Sequence, residues 1–248
     1  MSNTKGGDRS AGRLTGANAI VTGASRGIGR AIAQALIDAG ARVALIARGA
    51  TALRELAEAM GPRAVPVVCD VSSPTEVAAA LEIVAHAVGR APDVLVNNAG
   101  AFTLAPLDTL DPSSFAADLQ TNLVAPLRFV RALLPDMRAR GSGDIVTIGS
   151  VADRAIFPEN AAYAASKHGA RALHEVLRLE TRGSGVRAML ISPGPVDTAL
   201  WDSIDPDHRD GFIPRAQMLS PQAVADAVLY AVTQPREVNV DELRLSRS

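Results

Sequence analysis

The chain has 248 residues, of which 48% are hydrophobic, 21% charged and 3% aromatic, with a formal net charge of -1 at pH 7. That length suits one large α/β domain or two small ones, and the apolar content excludes disorder over most of it. A near-neutral balance with no long basic run argues against a nucleic-acid surface. One cysteine, Cys69, excludes an intramolecular disulfide and a cysteine metal cluster, and no apolar run approaches the ~20 residues of a membrane span.

Met1 to Arg13 is rich in Ser, Gly, Asn and charge and lacks the apolar stretch of a secretory signal. It reads as a mobile tail on a cytoplasmic protein, followed by one domain over 14–248. Ala17 to Val21 is a short apolar strand that runs into Thr22-Gly23-Ala24-Ser25-Arg26-Gly27-Ile28-Gly29, and Arg30 to Ala39 then has helical apolar spacing. A strand, a glycine-rich turn and a helix in succession form a dinucleotide site. Glycine lets the backbone approach a pyrophosphate, and the helix N-terminus supplies free N–H groups and a favourable dipole. The spacing Gly-x-x-x-Gly-x-Gly matches the general fingerprint only in part.

Gly40 closes that helix, and Arg42 to Ala47 is a second buried strand ending on Arg48. NAD-preferring proteins of this type place an acid near this point to receive the ribose 2′-hydroxyl. Here there is none, and Arg48 with Arg26 offers charge for a 2′-phosphate, unless Arg48 is simply a solvated loop residue. Thr51 to Met60 is helical, and Ala64 to Cys69 is a third strand on which Cys69 packs as a small hydrophobe. Asp70-Val71 follows, its carboxylate placed to accept from an adenine amino group. Pro74 opens the helix Thr75 to Val88. Val94 to Val96 is a strand leading into Asn97-Asn98-Ala99-Gly100, where small residues allow close approach to the adenosine side of a cofactor, and where Asn97 is at least as well read as a tie between strand ends.

Asp111 to Arg138 has the pattern of one long helix, with Asn122 near its middle and Pro126 four residues on, so a kink there would free backbone groups near Asn122. Ile145 to Ile148 is a strand ending at Gly149-Ser150. Val186 to Ile191 is another, followed by Ser192-Pro193-Gly194-Pro195-Val196-Asp197-Thr198. Trp201 to Gln217 is polar and proline-interrupted, a lid; Pro221 to Thr233 is a last helix and Asp241 to Leu245 a last strand. Strand and helix alternate without a linker or repeat. The expected fold is a single doubly wound Rossmann-type parallel sheet of about seven strands with helices on both faces.

Between the Ser150 strand and the next lies Tyr163-Ala164-Ala165-Ser166-Lys167. Residues four apart share a helix face, so a phenol and an ammonium can occupy one pocket, where the ammonium favours the phenolate and lowers the phenol's pKa. A tyrosine so poised can pass a proton to or from a substrate oxygen. The spacing alone is weak evidence, because exposed helices often carry lysine four residues from an aromatic.

The glycine turn, Asn97-Asn98-Ala99-Gly100, Asn122, Ser150, Tyr163, Lys167 and Pro193-Gly194, in this order, make the chain resemble the short-chain dehydrogenase/reductase family from roughly Leu14 onward. By that resemblance Tyr163 is the acid-base, Lys167 lowers its pKa and holds the nicotinamide ribose, Ser150 fixes the substrate carbonyl, and Asn122 holds a water linking lysine to solvent. Gly23, Ser25, Arg26, Gly27, Ile28 and Gly29 match the pyrophosphate loop. Asp70, Val71, Asn98, Ala99 and Gly100 match the adenosine side, and Pro193, Gly194, Val196 and Thr198 the nicotinamide side. Ala47-Arg48 is similar to NADP-preferring members.

The resemblance thus implies an NADP(H)-dependent oxidoreductase that interconverts a small-molecule carbonyl and a secondary alcohol. The alternatives are a silent nucleotide-binding sensor or scaffold and an NAD-dependent alcohol dehydrogenase. No metal, membrane or nucleic acid is implied. A homodimer or homotetramer is, with Leu123, Leu127, Val130, Leu173 and Leu177 as apolar contacts. The ending Val238 to Leu245 is closer to members acting on hydroxy acids, hydroxy amino acids or miscellaneous carbonyls than to 3-oxoacyl carrier-protein reductases. Pocket candidates are Phe102, Leu104, Ala152, Asp153, Ile156, Phe157, Asn160, Trp201 and Phe212, with Asp153 and Arg154 better read as solvent-facing.

Overall fold

In the computed structural model, which describes residues 12–88 and 91–248, the apolar runs become seven parallel strands of one sheet. Of the tail expected over 1–13, residues 1–11 lie outside the described residues. The strands are β1 (Asn18–Thr22), β2 (Arg42–Ala47), β3 (Ala64–Val68), β4 (Val94–Asn97), β5 (Gly143–Ile148), β6 (Val186–Pro193) and β7 (Glu242–Leu245), in the order β3-β2-β1-β4-β5-β6-β7. The chain reverses its direction of winding between β1 and β4. A crevice therefore opens beyond their carboxyl ends.

Among the described residues, seven α-helices cover the two faces: α1 (Gly27–Asp38), α2 (Ala50–Met60), α3 (Pro74–Val88), α4 (Pro112–Leu119), α5 (Ala125–Arg140), α6 (Ala161–Glu180) and α7 (Pro221–Val232). Successive strand side chains point to opposite faces. Ala19 and Val21 of β1 and Val94 and Val96 of β4 accordingly pack in one layer with Ile32 and Leu36 of α1 and Val224 and Val228 of α7. Ile20 and Leu95, one residue out of phase, pack in the other with Phe129 and Met137 of α5 and Leu177 of α6. Burying each of the larger of these side chains stabilises the fold by about 1.5–3 kcal/mol.

The long helix expected over Asp111 to Arg138 is broken. Asp111 caps α4 by accepting from Ser114 N at 3.1 Å, but the helix ends at Leu119 and Gln120–Val124 form a π-helical turn, with the Ala125 N–H donating five residues back to Gln120 O. Proline explains the position of the break. Pro126 has no N–H to offer the Asn122 carbonyl, so the regular ladder cannot run through this point.

Two of the expected interface residues are corrected. Val130 and Leu177 are buried in the core and offer little surface to a partner chain, whereas Leu127 on α5 and Val176 and Leu179 on α6 are exposed. No helix among the described residues is long and apolar enough to cross a membrane.

Candidate active site

One cavity of about 680 Å³ occupies the crevice, and every expected cofactor residue lines it, from Gly23, Ser25, Arg26, Gly27, Ile28 and Gly29 after β1 to Pro193, Gly194, Val196 and Thr198 after β6. The turn after β1 depends on glycine: a Cβ at Gly29 would stand 2.2 Å from Gly23 O, so α1 starts against the strand end only if that side chain is missing. No side chain caps the N-terminus of α1. Its first N–H groups are available to an anion in the cavity.

Arg26 and Arg48 are exposed at the far end, with Asp70 and Val71 on the same wall. The Asp70 carboxyl is held below its ordinary range chiefly by hydrogen bonds from the hydroxyl (2.7 Å) and N–H (2.9 Å) of Ser72, and further by the charge of Arg48. Asn98, Ala99 and Gly100 close the floor. Asn98, not Asn97, ties the strand ends, donating from Nδ2 to Thr22 O at 2.8 Å, while its N–H and that of Ala99 donate to Thr22 Oγ1. The tie expected of Asn97 is absent: that side chain is 4% exposed and neither amide atom has a hydrogen-bond partner.

At the other end, β5 delivers Ser150 and α6 delivers Tyr163 and Lys167. The α6 spacing places the Lys167 ammonium 5.5 Å from the Tyr163 ring centroid, and Nζ donates to Ile148 O at 2.8 Å. Burial lowers the Lys167 pKa to about 8, against a smaller upward pull from Asp153. Tyr163 departs from expectation. Its pKa is pushed up to about 12, first by burial and then by the negative charges of Asp118 and Asp153, while a hydrogen bond with Ser150 acts the other way. Removing the phenol from water outweighs any help from the lysine, so the group stays protonated through neutral pH.

Asn122 lies outside the cavity wall. Its Oδ1 accepts from Ala101 N at 2.8 Å, and its Nδ2 donates to Ala101 O at 2.9 Å and Ser166 Oγ at 2.8 Å; Ser166 Oγ in turn donates to Tyr163 O at 2.7 Å. The side chain therefore locks α6 to the strand-end loop after β4. Both Nδ2 hydrogens are engaged, and Pro126 deprives the Asn122 main-chain carbonyl of its regular helical donor.

A model of the short chain dehydrogenase family matches residues 17–209. The chain belongs to that family. It is 34% identical over 231 residues to an uncharacterized oxidoreductase of Staphylococcus aureus (strain MW2), covering 93% of this chain and 96% of the relative. Among solved structures it resembles a metagenomic short-chain oxidoreductase in complex with NADP (35% identity, TM-score 0.82, 95% of this chain and 99% of that one). It also resembles an alcohol dehydrogenase from Thermococcus sibiricus complexed with 5-hydroxy-NADP (32% identity, TM-score 0.83, 92% and 95%).

Against that family background, several neighbours of the site escaped the sequence reading. Asp153 is not a solvent-facing loop residue: at 1% exposure it accepts from Ser192 Oγ at 2.5 Å, from Ser150 N at 3.4 Å and from Arg154 Nε at 3.0 Å. Arg154 continues to Glu242 of β7 at 2.6 Å. Neither Asp153 nor Arg154 lines the cavity, and Ile156 is exposed away from it, while Phe102, Leu104, Ala152, Phe157, Asn160, Trp201 and Phe212 do line it. The lid adds Arg209, which pairs with Glu159 of the loop before α6, both lining the cavity, and Arg215 pins the lid by reaching Asp197 at 3.1 Å and Asp202 at 2.5 Å. One signal in the sequence points to Lys167. The only other lysine in the chain is Lys5; arginine supplies all the remaining cations except histidine. An arginine cannot have its proton affinity lowered to neutrality by burial, and a lysine can.

Proposed function

We propose that the protein is an NADP(H)-dependent oxidoreductase interconverting a carbonyl and a secondary alcohol, with Tyr163 as acid-base. The observation that carries this reading is that Ser150 and Tyr163 line the same end of one cavity, backed by the Lys167 ammonium anchored to Ile148 O. Two preplaced hydroxyls can hold one carbonyl oxygen and meet the negative charge that develops on it.

The donor set fits the cofactor. Free N–H groups of α1 and the glycine turn suit a pyrophosphate, and Arg26 and Arg48, with no carboxylate at 47–49 to oppose them, suit a 2′-phosphate. A related structure holds NADP. When bound, the nicotinamide supplies or receives the hydride. Ser150 orients the substrate oxygen, Tyr163 gives it a proton in reduction or takes one in oxidation, and Lys167 stabilises the phenolate that remains. The Asn122 carbonyl holds a water through which the proton is restored.

Consumption of NADPH with a panel of carbonyl compounds tests the proposal. A nucleotide sensor or scaffold would bind NADPH without consuming it, and that result would reject the enzymatic reading.

A further inference from the structure

The chain contains one tryptophan, two tyrosines and five phenylalanines, and five of these eight residues, Phe102, Phe157, Tyr163, Trp201 and Phe212, line the catalytic end of the cavity. Core packing does not require this. The buried layers are built from aliphatic side chains with Phe129 as their one ring. The rings at the site form a chain of edge-to-face contacts starting from the acid-base itself: Tyr163 to Phe102 at 4.7 Å and 72°, Phe102 to Trp201 at 5.3 Å and 73°, Trp201 to Phe212 at 6.3 Å and 76°. Successive rings at steep angles present both faces and edges to the space beside them, the two geometries in which another ring binds.

Most polar groups at this end already have partners, the exception being the buried Oδ1 of Asn160. Trp201 donates its Nε1 to Val196 O at 3.0 Å and so turns only carbon toward a guest. Arg209 lies over the Phe212 ring at 4.8 Å and is paired with Glu159, Asp210 adds a further negative charge to the wall, and Lys167 is bound to Ile148 O. A carboxylate on the substrate would be desolvated where, among the described residues, the nearby cations Lys167 and Arg209 already have partners.

From this arrangement we infer that the substrate is an uncharged aryl ketone, or the corresponding aryl secondary alcohol, its ring set among Phe102, Trp201 and Phe212 and its oxygen at Ser150 and Tyr163. The inference rests on the hydride-transfer reading above and departs from the hydroxy-acid comparison suggested by the C-terminal sequence. Reduction moves a hydride from NADPH to the carbonyl carbon and a proton from Tyr163 to its oxygen; oxidation of the alcohol by NADP⁺ is the reverse.

Two measurements on the full chain separate the two readings. NADPH consumption is followed with acetophenone, butanone and pyruvate, and acetophenone is titrated calorimetrically into the NADP⁺-loaded protein. Acetophenone should exceed butanone in kcat/KM by ~10-fold or more, the span that apolar pocket contacts supply, with pyruvate lowest. Trp201→Leu and Phe212→Leu, on separate parts of the lid and checked for retained NADP⁺ binding, should each narrow the acetophenone-to-butanone ratio by roughly 3-fold or more. Equal rates for the two ketones, a preference for pyruvate, or an unchanged ratio in both variants overturns the inference. Calorimetric binding of acetophenone without turnover of any carbonyl rejects the reductase reading while supporting the aromatic site; no binding of acetophenone rejects the aromatic site.

Discussion

Asp153 Oδ2 lies 2.5 Å from Ser192 Oγ in the interior of the protein, so one buried carboxylate joins the loop that carries Ser150 to strand β6. The contact shapes the backbone around it. A Cβ at Gly149 would stand 2.5 Å from Ser192 Oγ and 2.7 Å from Asp153 Oδ2, which leaves glycine as the residue that fits. Asp153→Leu strands the Ser192 hydroxyl and the Ser150 N–H, at about 1–3 kcal/mol for each group left unsatisfied. We expect a clear loss in denaturant midpoint and a fall in kcat larger than the change in NADPH affinity. A variant that unfolds at the wild-type midpoint and keeps wild-type kcat would show that Asp153 positions nothing.

Tyr163→Phe keeps the ring, and with it the contact to Phe102, while removing the proton. NADPH should bind as in wild type and turnover should fall by ~100-fold or more. Stopped or steady-state NADPH assays from pH 6 to 9 check this, and near wild-type turnover over that range would place the chemistry elsewhere.

Lys167 makes stability depend on pH. Its folded pKa of about 8 lies below the ordinary 10.5, so between these values the unfolded chain binds more protons and Lys167 makes stability rise with pH. Below pH 8 the fold bears the full cost of a buried ammonium, at most about 3 kcal/mol. Lys167→Met should therefore melt above wild type at pH 7, with the difference closing toward pH 10, since Tyr163 and Cys69 are present in both proteins. Melting curves that stay parallel from pH 7 to 10 would contradict the assignment.

Arg48→Asp should reverse the cofactor preference from NADPH to NADH, because a carboxylate at this point repels a 2′-phosphate and accepts from a 2′-hydroxyl. Binding constants for both nucleotides, measured by fluorescence, decide it. Equal wild-type affinity for NADH and NADPH would mean that Arg26 and Arg48 do not read the phosphate.

Leu127, Val176 and Leu179 expose apolar side chains on α5 and α6, and a homodimer or homotetramer that pairs these helices would cover them. Light scattering at micromolar concentration should give a multiple of the 25.7 kDa chain mass, and Leu179→Glu should lower it. A wild-type monomer would remove the proposal.

The alternation of strands and helices, the glycine turn and the Tyr163–Lys167 pairing were all legible in the sequence, because each is set by a short backbone period: two residues on a strand, between three and four on a helix. The break at Pro126 was legible as well, though its form as a π-helical turn was not. What the tertiary structure alone decided depends on partners far away in the chain. Asp153 is buried because Ser192 faces it from 39 residues on, and Asn98 rather than Asn97 ties β1 to β4 because its amide meets Thr22 O from 76 residues away. Val130 and Leu177 turn inward because the second core layer closes over them. The Tyr163 pKa moves up because desolvation depends on everything packed around the phenol, whereas the four-residue spacing to Lys167 specifies only one neighbour of many.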